Sequence, residues 1–225
     1  MTADLTGWPS GLFRTILADP PWPMRWSGGG EFRTNGEGRR YPNAKALARG
    51  LPYRTMPVAD IAALPVTWSA EADAHLFLWA PDQYVIDGSA SLVCRAWGFD
   101  PLRFIVWAKP GFGMGRFPRP QHELLLVGRR GTLPFAIANA GSVQRWKTPY
   151  AKAGASVARR HSQKPEDAQD LIERASPGPY LELFARRHRP GWTCWGDELP
   201  TFDHACQPGD PCPVCIAIVQ NGSAA

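Results

Sequence analysis

The stretch LFRTILADPPW, residues 12–22, decides the fold. Its first seven residues are mostly apolar and include β-branched members, which favours a buried strand. That strand must end at Asp19-Pro20-Pro21, because proline donates no backbone N–H and a proline pair cannot continue a central strand. The stretch therefore predicts a strand over residues 12–18 that delivers a carboxylate and a rigid turn to one end of a sheet.

Further along the chain, short apolar runs alternate with segments of helical periodicity. Predicted strands cover residues 75–80, 104–107, 123–127, 180–184 and 192–195, and predicted helices cover residues 58–64, 83–97 and 165–175. Such alternation implies an α/β fold with a single, mostly parallel sheet and helices on both faces. Ligands of such folds bind beyond the carboxyl ends of the strands. The segment 23–53 reads as a long irregular loop.

Length, composition and charge limit the possible classes of function but do not identify one. The 225 residues suffice for one α/β domain, which we place at residues 1–200, followed by a flexible Pro-, Gly- and Cys-containing tail at 201–225. A net charge of +5 suits a polyanionic partner, although a solvated basic surface would give the same value. The chain has no membrane-length apolar run and no signal peptide at its start, so we expect a cytoplasmic protein that is neither secreted nor bound to a membrane.

The turn after the first predicted strand also carries chemistry. Asp-Pro-Pro by itself is a common turn, but here the aromatic Trp22 follows directly, at the end of an apolar strand and before a long loop. The carboxylate of Asp19 and the backbone carbonyl of Pro20 are two acceptors for the N–H groups of one amine, and the prolines hold that carbonyl rigid. Trp22 offers a flat face on which a base could stack.

These residues resemble the MT-A70 branch of the adenine-N6 methyltransferases, whose signature is DPPW. Further segments similar to that family are YRTMPVADIAALPV (53–66), HLFLWAP (75–81), AWGF (96–99), IVWAKPGFGMG (105–115), HELLLVGRRG (122–131), HSQKPEDAQDLIERASPGPYLELFARR (161–187) and GWTCWGDEL (191–199). The resemblance covers roughly residues 12–199. It implies a Rossmann-like S-adenosylmethionine-dependent methyltransferase fold, and an enzyme that methylates the N6 amine of adenine in nucleic acid.

The resemblance also implies which residues form the site. Catalysis falls to Asp19, Pro20, Pro21 and Trp22, and the cofactor S-adenosyl-L-methionine to Lys164, Glu182, Phe184, Arg186, His188, Asp197 and Glu198. Lys164 is expected to pair with the methionine carboxylate of the cofactor. Acids replace two family amides at the last two of these positions, so they accept from ribose hydroxyls but cannot donate to a ring nitrogen. The transfer requires no metal.

Basic and aromatic residues interleave in the predicted loops, as phosphates and unstacked bases require. They are Arg25, Trp26, Arg33, Arg39, Arg40, Tyr41, Lys109, Phe112, Arg116, Phe117, Arg119, Arg129, Arg130, Arg145, Trp146 and Lys147. Arg187 and Arg189 read as solvated or phosphate-facing charges. We expect a nucleic-acid substrate, DNA rather than RNA, in a bacterial or phage-infected cell. An RNA enzyme and a catalytically silent nucleic-acid-binding subunit are the alternatives, and both a homodimer and a heterodimer are compatible with the sequence.

The tail holds four residues of zinc-binding type, His204, Cys206, Cys212 and Cys215, the last two in a C-x-x-C spacing. Because Pro- and Gly-rich chain ends are usually disordered, we favour a flexible tail with reduced thiols over a zinc knuckle. Stoichiometric zinc that is lost on Cys212→Ser would reverse this preference.

Overall fold

The computed structural model describes residues 5–23, 32–34, 40–42, 55–111, 118–147 and 163–199. Seven of the nine described strands form one sheet, and β2 (Phe32–Thr34) and β3 (Arg40–Pro42) form a separate pair. The seven are β1 (Phe13–Ala18), β4 (Ala70–Ala80), β5 (Asp100–Ala108), β6 (His122–Arg130), β7 (Val143–Gln144), β8 (Tyr180–Leu183) and β9 (Trp192–Trp195). Their order across the sheet is β7-β5-β6-β4-β1-β8-β9. The strand predicted from the opening stretch is therefore central, with β4 on one side and β8 on the other.

Six of the seven strands run in the same direction. β1 pairs in parallel with β4 and β8, β8 with β9, and β5 with β7, whereas β6 is antiparallel to both β4 and β5. The predicted mostly parallel sheet is confirmed. Because β6 is reversed, it begins at the edge where its neighbours end, and its first residues join their carboxyl ends.

Helices cover both faces of the sheet, as the sequence predicted. They are α1 (Val58–Ala62), α2 (Val66–Ser69), α3 (Asp82–Ile86), α4 (Ser89–Ala96) and α5 (Glu166–Ala175). Ile16 belongs to the buried cluster that contains apolar side chains of α1 and α4, whereas its neighbour Leu17 clusters with Ile172 of α5. Successive strand residues point to opposite faces, so a strand that is apolar throughout can support both layers.

Two predicted elements differ from the structure. The helix predicted over residues 83–97 is divided into α3 and α4 by Gly88, whose φ of 81° lies in the left-handed region that glycine tolerates. The segment 23–53, predicted to be irregular, contains an antiparallel pair of short strands, β2 (Phe32–Thr34) and β3 (Arg40–Pro42). Within the described residues, the structure contains no helix with the length and apolarity of a membrane span.

Candidate active site at the carboxyl edge of the sheet

The predicted site residues converge at one edge of the sheet. Asp19 follows β1, Phe184 follows β8, and Asp197 is the second residue after β9, so the carboxyl ends of three neighbouring parallel strands meet here. Because β6 is reversed, its second residue, Glu123, lies at the same edge, opposite Trp107 near the end of β5. These four segments, which are far apart in the sequence, therefore lie at the same edge of the sheet.

A tight turn fixes the acceptors of the DPPW motif. The Trp22 amide donates to the Pro20 carbonyl over 2.8 Å, and the Met56 amide donates to the Pro21 carbonyl over 2.8 Å. A carbonyl oxygen has two lone pairs, so Pro20 can accept a second hydrogen bond. The motif therefore presents the side chain of Asp19 beside a backbone acceptor whose direction is set by the turn.

Trp22 occupies a different place from the one expected. Its side chain is only 3% exposed, and its indole Nε1 donates to the Trp79 carbonyl over 2.8 Å. The Tyr84 ring stacks on it with centroids 4.8 Å apart, and the Tyr84 hydroxyl donates to the Pro23 carbonyl. With one face covered and the rest buried, this indole cannot serve as an open stacking surface. We therefore correct the expectation that a base stacks on Trp22: the buried indole holds the turn in place instead.

Ion pairs connect the catalytic motif with the end of β5, the start of β6 and the residues just before α5. The Lys164 ammonium lies 2.8 Å from Asp19 Oδ2 and 3.3 Å from Glu123 Oε2, and the other Glu123 oxygen accepts from Lys109. Lys164 also lies over the Trp79 ring, 5.4 Å from its centroid. This charge chain of two ammonium and two carboxylate groups is partly buried, with 16–27% of each side chain exposed.

The charges in this chain stabilise one another. Burial alone would raise the pKa of Glu123, but the ammonium groups of Lys164 and Lys109 outweigh it and hold that pKa below its usual value. Burial likewise opposes the charge on Lys164, and the Asp19 and Glu123 carboxylates raise its pKa above the usual value. Glu123 and Lys164 are therefore both charged at neutral pH, and removal of either one leaves the charge of the other less well compensated.

Glu123 is a site residue that the sequence did not single out. In the sequence it merely opens the apolar run ELLLV, as an exposed strand-end acid would. The available signal was its position: a carboxylate at the start of a strand that pairs antiparallel lies beside the carboxyl ends of its neighbours. Reading that signal required the strand direction, which periodicity does not give.

The residues expected at the cofactor lie along the ends of β8 and β9. Phe184 has a φ of 62°, an uncommon backbone conformation for a bulky residue and one that tends to occur at functional sites. At Gly196 an added Cβ would lie 2.4 Å from the Ala185 carbonyl oxygen, so only glycine allows the two segments to approach. The two segments are also joined by an ion pair, in which Arg186 Nε lies 3.7 Å from Glu198 Oε1.

Glu182 lies within β8 on the side of the sheet that α5 covers. It accepts a hydrogen bond of 2.8 Å from Gln169 of α5. Burial raises the pKa of Glu182 to about 7, the nearby Arg187 opposes this, and the charge of Asp19 adds to it. The Glu182 carboxyl therefore changes its protonation state near neutral pH. The other two acids expected at the cofactor, Asp197 and Glu198, lie on the loop that follows β9.

Several basic residues that were expected to contact phosphate form ion pairs or hydrogen bonds within the protein. Arg187 pairs with Glu166 of α5, and Arg189 makes two hydrogen bonds to Glu173, of 2.8 and 2.9 Å. Arg130 ends β6 at the opposite edge of the sheet, where it donates to the Thr67 carbonyl over 2.9 Å. Arg129 and Arg130 thus lie at the edge opposite the site, whereas Arg187 and Arg189 lie after β8 and are paired with acids of α5.

Other predicted contacts cannot be placed. The side chains of Arg33, Arg40 and Tyr41, together with the other basic and aromatic residues of the segment 24–54, lie outside the described residues. The same holds for Phe112, Arg116 and Phe117, and for the tail with its four candidate zinc ligands. Lys109, Arg145, Trp146 and Lys147 are described, and all four lie near the carboxyl edge.

Known proteins are similar to this chain over most of its length. The chain is 27% identical to the type II methyltransferase M.MunI of Mycoplasma sp over 85% of this chain and 80% of that protein. It is 29% identical to human N(6)-adenine-specific methyltransferase METTL4, over 85% of the chain but 38% of the relative. It is 26% identical to the N(6)-adenosine-methyltransferase subunit METTL3 of Danio rerio, over 84% and 28%. The chain thus spans well under half of the two METTL relatives. Residues 13–198 match the MT-A70 family, and the chain belongs to that family.

Proposed function

We propose that this protein transfers a methyl group from S-adenosyl-L-methionine to the N6 amine of adenine in nucleic acid, and that DNA is its substrate. The observation that carries the proposal is the pair of fixed acceptors at the end of β1. Asp19 and the Pro20 carbonyl stand at the strand where the chain order switches from one side of the sheet to the other. The crevice beyond such a strand is the usual ligand site of an open α/β sheet.

The side chains at the ends of β8 and β9 suit the proposed cofactor. S-adenosyl-L-methionine carries ribose hydroxyls, an ammonium group and a carboxylate. Glu182, Asp197 and Glu198 supply acceptors for the first two, and Arg186 and His188 supply donors. The close approach at Gly196, which any side chain would obstruct, supports a backbone cradle between the two strand ends. When bound there, the cofactor supplies an electrophilic methyl group.

The remaining chemistry falls to the chain's own residues. The adenine amine is a weak nucleophile because its lone pair is delocalised into the ring. Asp19 accepts one N–H and the Pro20 carbonyl accepts the other, which draws the nitrogen towards tetrahedral geometry and localises the lone pair. The proton that the amine loses on methylation passes to the Asp19 carboxylate, and Lys164 stabilises the negative charge of that group beforehand.

Lys164 has two proposed roles that the experiment must separate. Its 2.8 Å contact with Asp19 and 3.3 Å contact with Glu123 support a role in positioning the two carboxylates. The family resemblance supports a contact with the methionine carboxylate. An ammonium has three donors, so it can serve a carboxylate on either side and a further group in front.

DNA is preferred over RNA on the strength of the relatives. Among the three relatives described, the type II methyltransferase is matched over the largest share of its own length, 80%. That similarity favours a DNA-modifying enzyme. The name of METTL3 includes the word subunit, which supports a heteromeric assembly as one arrangement for this chain as well.

The deciding experiment is incubation with labelled cofactor and matched adenine-containing DNA and RNA oligonucleotides at one salt concentration, followed by nucleoside analysis. N6-methyladenine on DNA is the expected product. Methylation of RNA alone would replace the substrate while keeping the reaction. Cofactor-dependent oligonucleotide binding with no methyl transfer on either polymer would favour the catalytically silent subunit, and a methylated product other than N6-methyladenine would overturn the chemistry.

A further inference from the structure

An open cleft lies beside the charge chain, on the side of the sheet away from β8 and β9. It has a volume of about 680 Å³ and is lined by Ala108, Lys109, Pro110, Gln121, Arg145, Trp146 and Lys147. These residues come from the end of β5, the approach to β6 and the segment after β7. The volume falls in the range of roughly 300–1,000 Å³ that is typical of sites for small organic groups. The proposed catalytic and cofactor residues contribute nothing to its lining.

The cleft is basic and its lining contains no carboxylate. Lys109 is already paired with Glu123, which leaves the exposed Arg145 and Lys147 as a net positive pair. Among the residues that the structure describes, neither of these two forms an ion pair with an acid. Trp146 stands between them and is partly exposed. Two cations that flank a tryptophan are the combination that holds a phosphate and the base attached to it.

The sheet fixes the residues that line the cleft. The segment carrying Arg145 is attached to β5 through the pairing of Val143 and Gln144 with that strand. Trp107 Nε1 donates to the Trp146 carbonyl over 3.1 Å, and the Trp146 ring packs edge-on against Trp79, with centroids 6.4 Å apart. A surface loop would have to be ordered on binding, whereas this one is held before the ligand arrives.

The cleft is connected to the proposed catalytic carboxylate by direct contacts. Lys109 lines the cleft and binds Glu123, and Lys164 lies 3.3 Å from Glu123 and 2.8 Å from Asp19. A polymer whose target base reaches Asp19 can therefore extend along this charge chain into the cleft.

We propose that this cleft binds the nucleotide next to the target adenine, with its phosphodiester between Arg145 and Lys147 and its base against Trp146. The proposal rests on the proposed function, because it takes a nucleic-acid strand as the ligand. It makes the cleft a site for binding the substrate strand, separate from the groups that transfer the methyl. Contacts to phosphate position the strand, while the base against the indole adds affinity with little sequence preference.

The test uses the full chain with the double variant Arg145→Gln/Lys147→Gln. Its matched control is Arg14→Gln/Arg95→Gln, which removes the same charge from exposed positions on the amino half of β1 and on α4. The probe is a single-stranded DNA oligonucleotide with one adenine, labelled for fluorescence anisotropy. A second probe carries an uncharged methylphosphonate in place of each of the two phosphodiesters that flank that adenine.

For the first double variant we expect oligonucleotide affinity to fall about tenfold or more, with KM raised by a similar factor and kcat almost unchanged. The control should lose less than about threefold, through long-range charge alone. The methylphosphonate probe should bind the wild type about tenfold more weakly than the natural probe, and the variant should not distinguish the two probes. This coupling identifies the flanking phosphate as the partner of the cleft.

Three results would overturn the assignment. They are equal losses in the two double variants, a methylphosphonate penalty that persists in the cleft variant, and a cleft variant that loses affinity for S-adenosyl-L-methionine in calorimetry. The last would assign the cleft to the cofactor. Failure of the proposed function is distinguishable, because it gives no N6-methyladenine with the wild type, whereas the anisotropy results report on the cleft whether or not methyl transfer occurs.

Discussion

Strand β1 carries a polar side chain near each end, and the two ends are built differently. Near its beginning Thr15 is fully buried in a neutral network: its hydroxyl lies 2.5 Å from that of Ser176 and donates to the Pro177 carbonyl over 2.7 Å. Ser176 in turn contacts His75 Nδ1 at 2.7 Å. After its last residue, the partly exposed Asp19 joins a chain of four charges. The first cluster is closed and uncharged, and the second is open to the solvent and charged.

This difference predicts that the neutral network contributes mainly to stability and the charge chain mainly to activity. In the network of Thr15, His75 and Ser176, the polar groups bind one another and leave no atom for a ligand, because His75 Nε2 also bonds to the Leu133 carbonyl over 3.0 Å. In the charge chain, Asp19 and Glu123 have lone pairs that their lysines do not fill. Substitutions in the neutral network should therefore change the free energy of unfolding, and substitutions in the charge chain should change turnover.

The largest expected effect is on turnover after Asp19→Ala. The variant removes one of the two acceptors for the target amine, so kcat should fall at least about a hundredfold, the loss seen when one preorganised group is removed from an active site. The melting temperature should change by only a few degrees. Methyl transfer to oligonucleotides and thermal unfolding measure the two. Asp19→Asn, which keeps the shape but weakens the acceptor, should be similarly impaired, and near-wild-type turnover in either variant would rule out the proposed chemistry.

Lys164→Met should have the next largest effect. It removes the ammonium between two carboxylates, so the pKa of Glu123 should rise and turnover should fall at pH values below neutrality more than above it. If Lys164 also pairs with the methionine carboxylate, cofactor affinity should fall about tenfold or more, as for loss of a charge-assisted hydrogen bond. Calorimetry with S-adenosyl-L-methionine decides this: lost turnover with unchanged cofactor affinity would leave Lys164 only its positioning role.

In the neutral network, Ser176→Ala should destabilise the protein without lowering kcat. It leaves His75 Nδ1 without its buried partner, which costs about 1–3 kcal/mol of unfolding free energy. Urea unfolding measures that cost, and Ser142→Ala at an exposed position is the matched control. A Ser176→Ala protein with wild-type stability and impaired turnover would remove the distinction between the two ends of β1.

His75 in the neutral network and Glu182 in β8, whose pKa the charge of Asp19 helps to raise, should respond to pH in opposite directions. Burial holds the pKa of His75 below its usual value, so the folded state binds fewer protons than the unfolded state there, and stability is lost as pH falls below about 6.5. Glu182 has a pKa raised to about 7, so its contribution is full below about pH 4.5 and is lost as pH rises through 7.

Glu182→Gln tests the second half of that contrast and is the smallest effect predicted. The amide cannot ionise, so the variant should gain stability relative to the wild type as pH rises from 5 to 8. Melting temperatures of both proteins across that range give the difference, and a difference that does not vary with pH would contradict the raised pKa. Gln169→Leu, which removes the hydrogen bond to Glu182 but leaves the carboxyl, is the matched control.

The sequence by itself determined most of the central elements and the family. Apolar runs punctuated by proline fixed the positions of the central strands, because a fully buried parallel strand has few alternatives to a continuous apolar segment. Pro165 and the acidic first turn fixed the start of α5, because proline and acids suit the unsatisfied N–H groups of a helix start. DPPW, together with the motifs that follow it in order, was sufficient for the family.

Only the tertiary structure decided which groups face one another. The direction of β6 brings Glu123 to the site, and a one-dimensional pattern contains no strand direction. Trp22 reads as a stacking surface in sequence because the turn that carries it leads from a strand end into a loop, and loops run over the protein surface. Its burial depends on Trp79 and Tyr84, more than fifty residues away. The ion pairs of Arg187 and Arg189 likewise arise because α5 packs across β8 and β9, since long-range electrostatic partners are set by packing and not by the local sequence.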